Sequence, residues 1–366
     1  MALSSERYRV GTLEKGLSVL EAVERSAQPL TIQEIVRATG IQRVAVYRLL
    51  CTLEQRGYIA RLENKKYRSM TRRRRVLLGY NAPLTGTPFR IDVTASVRQA
   101  AAEARVDLLV LNNSEADAEE AVHQAQVLLD AKADVALMFQ PAEAIGHVVA
   151  DRFFSAGMPF ITIERPIHGG VYFGANNYQA GKMAGEALGR FALDCWKGRF
   201  DRVVLLEAGP TGTNVQARVA GVLVGLRAVA GRVEESQVVH LDGGAHLESS
   251  REEMMRLLRK VKPGTRLLVS GFNDRSAVGA LEAVREAGRE RDVAIVGQNA
   301  TREGRAEIRN PESRLIASVA YFPERYGARL VRLALQILDR EQVPPAVYTD
   351  HVLLDAHNVS KYYPGD

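Results

Sequence analysis

Two cysteines in 366 residues are too few for a disulfide framework, and Cys51 and Cys195, 144 positions apart, form no CxxC pair. That usage fits a reducing compartment. Long apolar runs are missing as well. None approaches the ~18 residues that a membrane-spanning helix needs, and the opening MALSSERYRV has no apolar stretch of a secretory leader. A cytoplasmic protein without membrane contact is expected. Catalytic signatures are also lacking: there is no GxxxxGKS or GxxxxGKT phosphate loop, no GxSxG elbow and no HExxH zinc helix. GPTGTN, from Gly209, reads as a strand-to-helix turn. His240, Asp242 and His246 could be imagined as metal ligands, but Gly243 and Gly244 beside them make a solvated loop the better reading. No enzyme activity, cofactor or metal is therefore expected.

What is present is a length that calls for two or three compact units, with 46% hydrophobic and 25% charged residues, as in soluble globular chains. The net charge of +6 is unevenly spread. Residues 1–75 hold 16 Lys and Arg against 7 Asp and Glu, a net of +9; residues 76–366 hold 33 against 36, a net of −3. A basic first fifth joined to a near-neutral remainder points to a polyanion-binding module followed by another kind of unit.

Within the basic segment three helices can be placed. Thr12 can cap the first, with Leu13, Leu17, Leu20 and Val23 at helical spacing. Pro29 ends that stretch, and TIQEIVRATG then opens with a capping box of Thr31 and Glu34 and stops at Gly40. The third, QRVAVYRLLCTLEQRG, puts Val46, Leu49, Leu50 and Leu53 on one face. The short connection TGIQ between the second and third gives a helix-turn-helix. After Gly57, YIARL and KKYRSM read as two strands around Glu63 and Asn64, a wing. The solvated face of the third helix carries Gln42, Arg43, Tyr47 and Arg48; arginine can bond bidentately to guanine and glutamine to adenine. Arg61, Lys65, Lys66 and Arg68 of the wing suit phosphate contacts.

These residues, from TLEKGLSVLEAV through VYRLLCTLEQRGYIARLENKKYRSM, resemble the winged helix-turn-helix of IclR-type bacterial transcription regulators over about residues 8–70. The resemblance implies a double-stranded operator DNA partner. Val44 and Ala45 stand where the family commonly has small hydroxyl residues, so the operator need not match a typical family site.

A stretch of four arginines, TRRRR at residues 71–75, then acts as a basic linker. Beyond it the texture changes. VLLGYN, DLLVLN, VALMFQ, PFITIE, VVLLEA, LLVSGF and VAIVGQ are short β-rich runs, separated by helical stretches such as AEEAVHQAQVLLDA. Alternation of this kind implies an α/β fold with doubly wound parallel sheets, here divided between two lobes. Ligands bind such folds at the carboxyl ends of strands. Asn81, Gln140, Glu164, Arg165, Glu207, Asn273, Asp274, Gln298 and Asn299 lie there, a set able to both donate to and accept from hydroxyls.

The segment at about residues 74–360 resembles the ribose-binding type of periplasmic binding protein, the fold that LacI-type repressors use as effector domain. The resemblance is carried by ITIERPIHGGVYFGANNYQAGKMAGEAL, NDRSAVGALEA, VAIVGQNA and LIASVAYFPERYGARL. It implies a type I two-lobe domain over 76–366, with lobe 1 at about 76–175 and 322–345 and lobe 2 at about 176–321 and 346–366. It also implies Phe89 as a stacking ring with Arg90 beside it, Glu164 and Arg165 as the pair gripping sugar hydroxyls, and Asn273 as a hydroxyl-binding amide. Gln216 falls where ribose binders place an arginine, Asn299 where the family usually has aspartate, and Tyr321 where ribose binders have glutamine. A sugar or polyol remains the implied ligand, and these departures weaken the case for ribose itself.

Together these readings describe a ligand-responsive transcription regulator, a repressor of a carbohydrate utilisation operon, working as a homodimer or higher homo-oligomer with a small sugar-like effector. One alternative effector is an amino acid derivative or organic acid held by Arg90 and Arg165; another reading is an enzyme with a DNA-tethering head.

Overall fold

The computed structural model describes residues 10–26, 28–70, 75–82, 84, 86–113, 117–140, 143–209 and 213–365, with the side chains of 143–144 and 213–215 left aside. The chain divides into two compact units, Met1–Arg75 and Val76–Asp366. Thr71 to Arg74 of the basic linker lie outside the described residues.

In the first unit, α1 (Gly11–Arg25), α2 (Ile32–Thr39) and α3 (Arg43–Gln55) precede the antiparallel pair β1 (Ile59–Arg61) and β2 (Tyr67–Ser69). The Thr31 side chain accepts the Glu34 amide while the Glu34 carboxylate takes the Thr31 amide, and Gly40 ends α2 at a left-handed φ of 68°. Leu30 adds a bridge to Tyr67, so the wing is tied back to the start of α2. Val19, Val23, Ile35, Val46, Leu50, Ile59 and Tyr67 form the buried centre. Two details differ from the sequence expectation. Thr12 lies inside α1, whose cap is Val10 with no side-chain bond. Leu13 and Leu17 are exposed, because α1 carries two apolar stripes and the one through Val19 and Val23 is the one buried.

The second unit begins with β3 (Leu77–Ala82), α4 (Pro88–Glu103), β4 (Asp107–Asn112), α5 (Ala118–Asp130), β5 (Val135–Met138), α6 (Glu143–Ser155), β6 (Phe160–Ile163) and β7 (Val171–Gly174). The chain then crosses into a second lobe with α7 (Asn177–Trp196), β8 (Arg202–Glu207), α8 (Thr213–Ala230), β9 (Val238–Asp242), α9 (Leu247–Lys260), β10 (Leu267–Ser270), α10 (Asp274–Glu286), β11 (Val293–Asn299), α11 (Arg302–Arg309) and β12 (Leu315–Ala320). It returns for α12 (Tyr326–Leu338) and β13 (Ala346–Tyr348), and crosses once more to β14 (Val352–Asp355) and α13 (Val359–Tyr362).

Each lobe is a six-stranded sheet, ordered β13-β7-β6-β5-β3-β4 in the first and β14-β12-β11-β10-β8-β9 in the second. All the pairs are parallel except β12 with β14. The central strands VALM, FITI and LLVS are buried at every position, as sheets covered on both faces require. In the first lobe α4 and α12 cover one face and α5 and α6 the other. In the second, α7 and α8 cover one face and α9 and α10 the other. Ala346–Tyr348 pairs with Val171–Gly174. Residues 346–348 therefore belong to lobe 1, and the third crossing falls at 349–351, later than the boundary read from sequence.

The helices α7 and α8 touch backbone to backbone. A Cβ at Gly181 or Gly185 would collide with the carbonyl oxygens of Arg218 and Val222, and one at Gly225 with that of Lys182. Overpacking such a contact costs about 1–3 kcal/mol. Gly185→Ala is expected to lower the urea midpoint accordingly at an unchanged slope; an unmoved midpoint would contradict the close approach.

Candidate functional site

On the first unit, Gln42 precedes α3 at its N-cap, and Gln42, Arg43, Tyr47 and Arg48 are all exposed, with Val44 between them 73% exposed. Positions 43, 44, 47 and 48 share a helical face because 47 and 48 lie one turn on from 43 and 44. The wing turn over Asn64 and Lys65 is held by the Asn64 side chain accepting the Lys66 amide, with Lys65 at a left-handed φ of 58°. Arg61, Lys65 and Arg68 are exposed, while Lys66 is half-buried and its charge helps to hold the Glu34 carboxyl of the capping box down, after the two Thr31 bonds. Arg68 borders a hollow beside the end of α1 with Val23 and Pro29.

On the second unit the chain crosses between lobes at 175–176, 321–325 and 349–351, and the polar groups gather at these crossings. Glu164, just after β6, takes a left-handed φ of 64°. Its Oε1 accepts the Tyr326 hydroxyl at 2.6 Å and the Ala175 amide at 3.1 Å. Burial pushes its carboxyl above the usual range, opposed by the Tyr326 bond and by the charge of Arg218. Tyr326 meets Phe89 and Phe173 edge-on, with centroids 5.5 and 5.1 Å away. Phe89 in turn reaches Tyr321 across the lobes at 6.4 Å.

Arg218, buried on α8, faces the same cluster. Its Nε and Nη2 donate to Asn177 Oδ1 at 3.0 and 2.6 Å, and Nη1 to the Phe272 carbonyl at 2.6 Å. Its guanidinium lies over the Phe272 and Tyr321 rings at 4.8 and 5.4 Å, within cation–π range. His351, on the third crossing, accepts the Asn176 amide of the first through Nε2 at 3.0 Å and lies 4.7 Å from the Tyr321 ring. Burial lowers its pKa to about 4, and Arg218 adds to the shift against the opposing Ala320 carbonyl.

The end of β11 is pinned from below. Asn299 and Ala300 both have left-handed φ, 94° and 52°. The turn persists because Ser318 accepts the Ala300 amide at 3.0 Å, and buried Asp274 accepts the Thr301 amide and the Ser318 hydroxyl at 2.5 and 2.6 Å. Burial raises the Asp274 pKa to about 7.

The structure thus brings Phe89, Glu164 and Tyr321 together, with Arg90 and Arg165 close enough for Arg165 to help burial hold Arg90 below its usual range. Other predicted residues are placed differently. Asn81 is 1% exposed in the row Asn81, Met138, Thr162 across β3, β5 and β6, on the face covered by α5 and α6. Buried Gln140 donates to Asn113 at 3.2 Å beneath α6. Alternation along β3 turns Asn81 to the sheet face opposite Tyr80, away from the position expected of it, while Gln140 lies two residues past β5. Gln216 is exposed, and Arg218 is the α8 residue that turns inward. Asn273 caps α10 by accepting the Ser276 amide and donates to the Ala245 carbonyl. The Tyr321 hydroxyl donates to Gln298, so it offers the cleft its ring. Glu207 pairs with His240 at 2.5 Å on the surface, and no cluster able to hold a metal occurs among the described residues. Arg218, Asn177, Phe272, Tyr326 and His351 escaped the sequence reading; only ring and arginine spacing after the strands could have flagged them.

A two-lobed α/β ligand-binding unit behind a winged helix-turn-helix is the class that this architecture defines. Residues 78–342 match the model of the periplasmic binding protein domain, and the chain belongs to that family. Residues 12–63 match the model of the IclR helix-turn-helix domain. The ribose import binding protein RbsB of Salmonella typhimurium is 27% identical over 262 residues, 70% of this chain and 82% of that protein. RbsB of Bacillus subtilis is 23% identical over 274 residues, 74% of this chain and 84% of its own. A periplasmic solute binding protein from Actinobacillus succinogenes, with bound D-allose, superposes with a TM-score of 0.67 at 17% identity, covering 78% of this chain and 99% of that one. A solute binding protein from Bacillus halodurans with bound myo-inositol gives 0.67 at 18%, covering 79% and 97%. At such identities the two structures speak to fold alone. No helix among the described residues is long and apolar enough to cross a membrane.

His351 makes the hinge sensitive to acid. Its folded pKa lies below the unfolded value, so stability is present above about pH 6.5 and is lost as pH falls towards about 4. Asp274, whose folded pKa is raised, works in the opposite sense, so the test is a difference. The melting temperature gap between wild type and His351→Gln should narrow as pH falls from 7 towards 4; a constant gap would contradict the buried neutral imidazole.

Proposed function

We propose that the protein is a DNA-binding regulator that senses a sugar or polyol in the cleft between its lobes and represses a carbohydrate utilisation operon. One observation carries this reading: Phe89, Glu164, Arg218 and Tyr321 meet at the chain crossings of a periplasmic-binding-protein domain whose chain also carries a winged helix-turn-helix. The names of the similar proteins, ribose and ribose/allose binders, support a sugar over other solutes. An aromatic ring beside a carboxyl and guanidinium groups can cover a sugar's apolar face and bond its hydroxyls. The protein acts in the cytoplasm, where operator DNA lies, and as a homodimer, because two winged helices match two half-sites. Ligand closure changes how the lobes are set and so the spacing of the paired winged helices.

The placement of Arg90 near Arg165 favours one second reading, an effector bearing a carboxylate. Calorimetry with monosaccharides, polyols and carboxylate metabolites separates the two. A neutral sugar should bind, and Arg165→Ala should abolish that heat; binding by carboxylates alone would replace the sugar.

For DNA, Arg43→Ala and Arg48→Ala should each cost ~1–3 kcal/mol on the gene's own upstream region, without altering sugar binding. Wild-type affinity in both variants, read by gel shift, would remove α3 as the reading helix. Glutamine at Arg72 to Arg75 should flatten the slope of log affinity on log salt by ~0.9 per lost phosphate contact, alike on operator and unrelated DNA. An unchanged slope would make the stretch a spacer only.

A further inference from the structure

We propose that the effector has two linked sugar units, the second held in a recess behind Phe89 by Asp92, Glu324, Thr301 and Arg305. The inference rests on the sugar reading above and deepens it from a monosaccharide to a disaccharide or glycoside.

The recess measures about 220 Å³ and is built by both lobes. Phe89 and Asp92 come from α4 in the first; Asn299, Thr301 and Arg305 come from the end of β11 and from α11 in the second; Glu324 lies on the crossing between them. Phe89 and Asn299 are also the residues that sequence resemblance places against the first sugar. The ring of Phe89 faces Tyr321 and Tyr326 on one side and walls the recess as well. Phe89 is therefore shared between the ring cluster at the crossings and the recess. The volume would hold about seven waters at ~30 Å³ each. It is short of the ~300–1,000 Å³ of a complete small-molecule site, which fits a subsite for one added unit.

The lining chemistry is that of a hydroxyl-rich ligand. Asp92 and Glu324 can only accept as carboxylates, Arg305 can only donate, and the Asn299 amide can do both. Tyr363 and Phe89 supply aromatic walls. The Arg305 guanidinium is fixed in place, 3.8 Å from the Tyr363 ring and donating to the Ala300 carbonyl at 2.6 Å. The Tyr363 hydroxyl donates to Glu324 at 3.2 Å. Asp92 is exposed to the recess, and burial, then the like charge of Glu324, holds its carboxyl above the usual range. Hydroxyl donors from a ligand would ease the repulsion between Asp92 and Glu324, with no ordering of Arg305 left to do.

The test is calorimetry on the full chain. The probes are D-ribose, D-allose, D-galactose, D-glucose and D-fructose, set against disaccharides built from them and their methyl glycosides. At least one two-unit probe should bind about tenfold or more tightly than either of its component monosaccharides. Asp92→Ala and Glu324→Gln should each reduce that affinity ratio towards one, a readout that a merely structural loss would not select. The proposal is overturned if monosaccharides bind and no two-unit probe exceeds them, or if the ratio survives both substitutions. If no sugar of either length binds, the sugar reading itself fails, and the subsite falls with it.

Discussion

The bond from the Tyr326 hydroxyl to the buried Glu164 carboxyl, 2.6 Å long, ties together most of what makes the cleft. Glu164 directly follows β6 and sits beside the first crossing through the Ala175 amide; Tyr326 begins α12 directly after the second. One carboxyl thus fixes the end of a core strand against two of the three interlobe connections. A charged group buried with only neutral donors would be costly; burial raises the Glu164 pKa, while the Tyr326 bond and then the charge of Arg218 act against that rise.

Around this bond the third crossing is tied to the first by neutral contacts: His351 accepts from Asn176, and the Thr349 amide donates to the Gly174 carbonyl at 2.9 Å. The Arg218 guanidinium is held by Asn177, the first residue of α7. The glycines of α7 let α8 approach closely enough to present Arg218 there. The second lobe's contribution to the cleft thus depends on a helix–helix contact behind it, and the pinned turn at Asn299 depends likewise on Asp274 and Ser318 beneath. Both devices spend burial and hydrogen bonds to hold a few cleft residues in set positions. Such preorganisation is what makes a two-lobe domain respond to ligand as a unit, with binding and lobe arrangement thermodynamically linked.

Much of this was legible where the cause is local. Thr31, Glu34 and Gly40 announce α2 because a capping box and a left-handed stop act within a few residues. The buried β-branched strands are legible because both faces are covered and no alternation interrupts them. What was not legible depends on partners distant in the chain. Strands β9, β13 and β14 are short and half-exposed, and their pairing partners rather than their composition make them strands. In α1 the spacing groups Leu13 and Leu17 with Leu20 and Val23, and nothing local says that packing against α2, α3 and the wing buries Val19 and Val23 while leaving Leu13 and Leu17 exposed. At the cleft, Gln216 and Arg218 are two residues apart on a helix, about 200° in rotation, so only one of them can turn inward. Resemblance marks Asn273 and Tyr321 as ligand-binding positions, and a helix cap and a bond to Gln298 claim their polar atoms. Sequence identifies a donor; only packing shows to whom it is already committed.

The central claim is that one ligand in the cleft and one DNA site on the winged helix are energetically coupled through this chain. Linkage makes the coupling reciprocal: whatever factor the ligand imposes on DNA affinity, DNA must impose on ligand affinity. The most direct measurement is therefore calorimetric titration of the tightest-binding sugar into the protein alone and into its complex with upstream DNA, beside DNA titrations with and without that sugar. Equal factors in both cycles, about fivefold or more, are the result expected. Sugar affinity that is the same with and without bound DNA would show two functional modules on one chain with no communication, and would contradict the account.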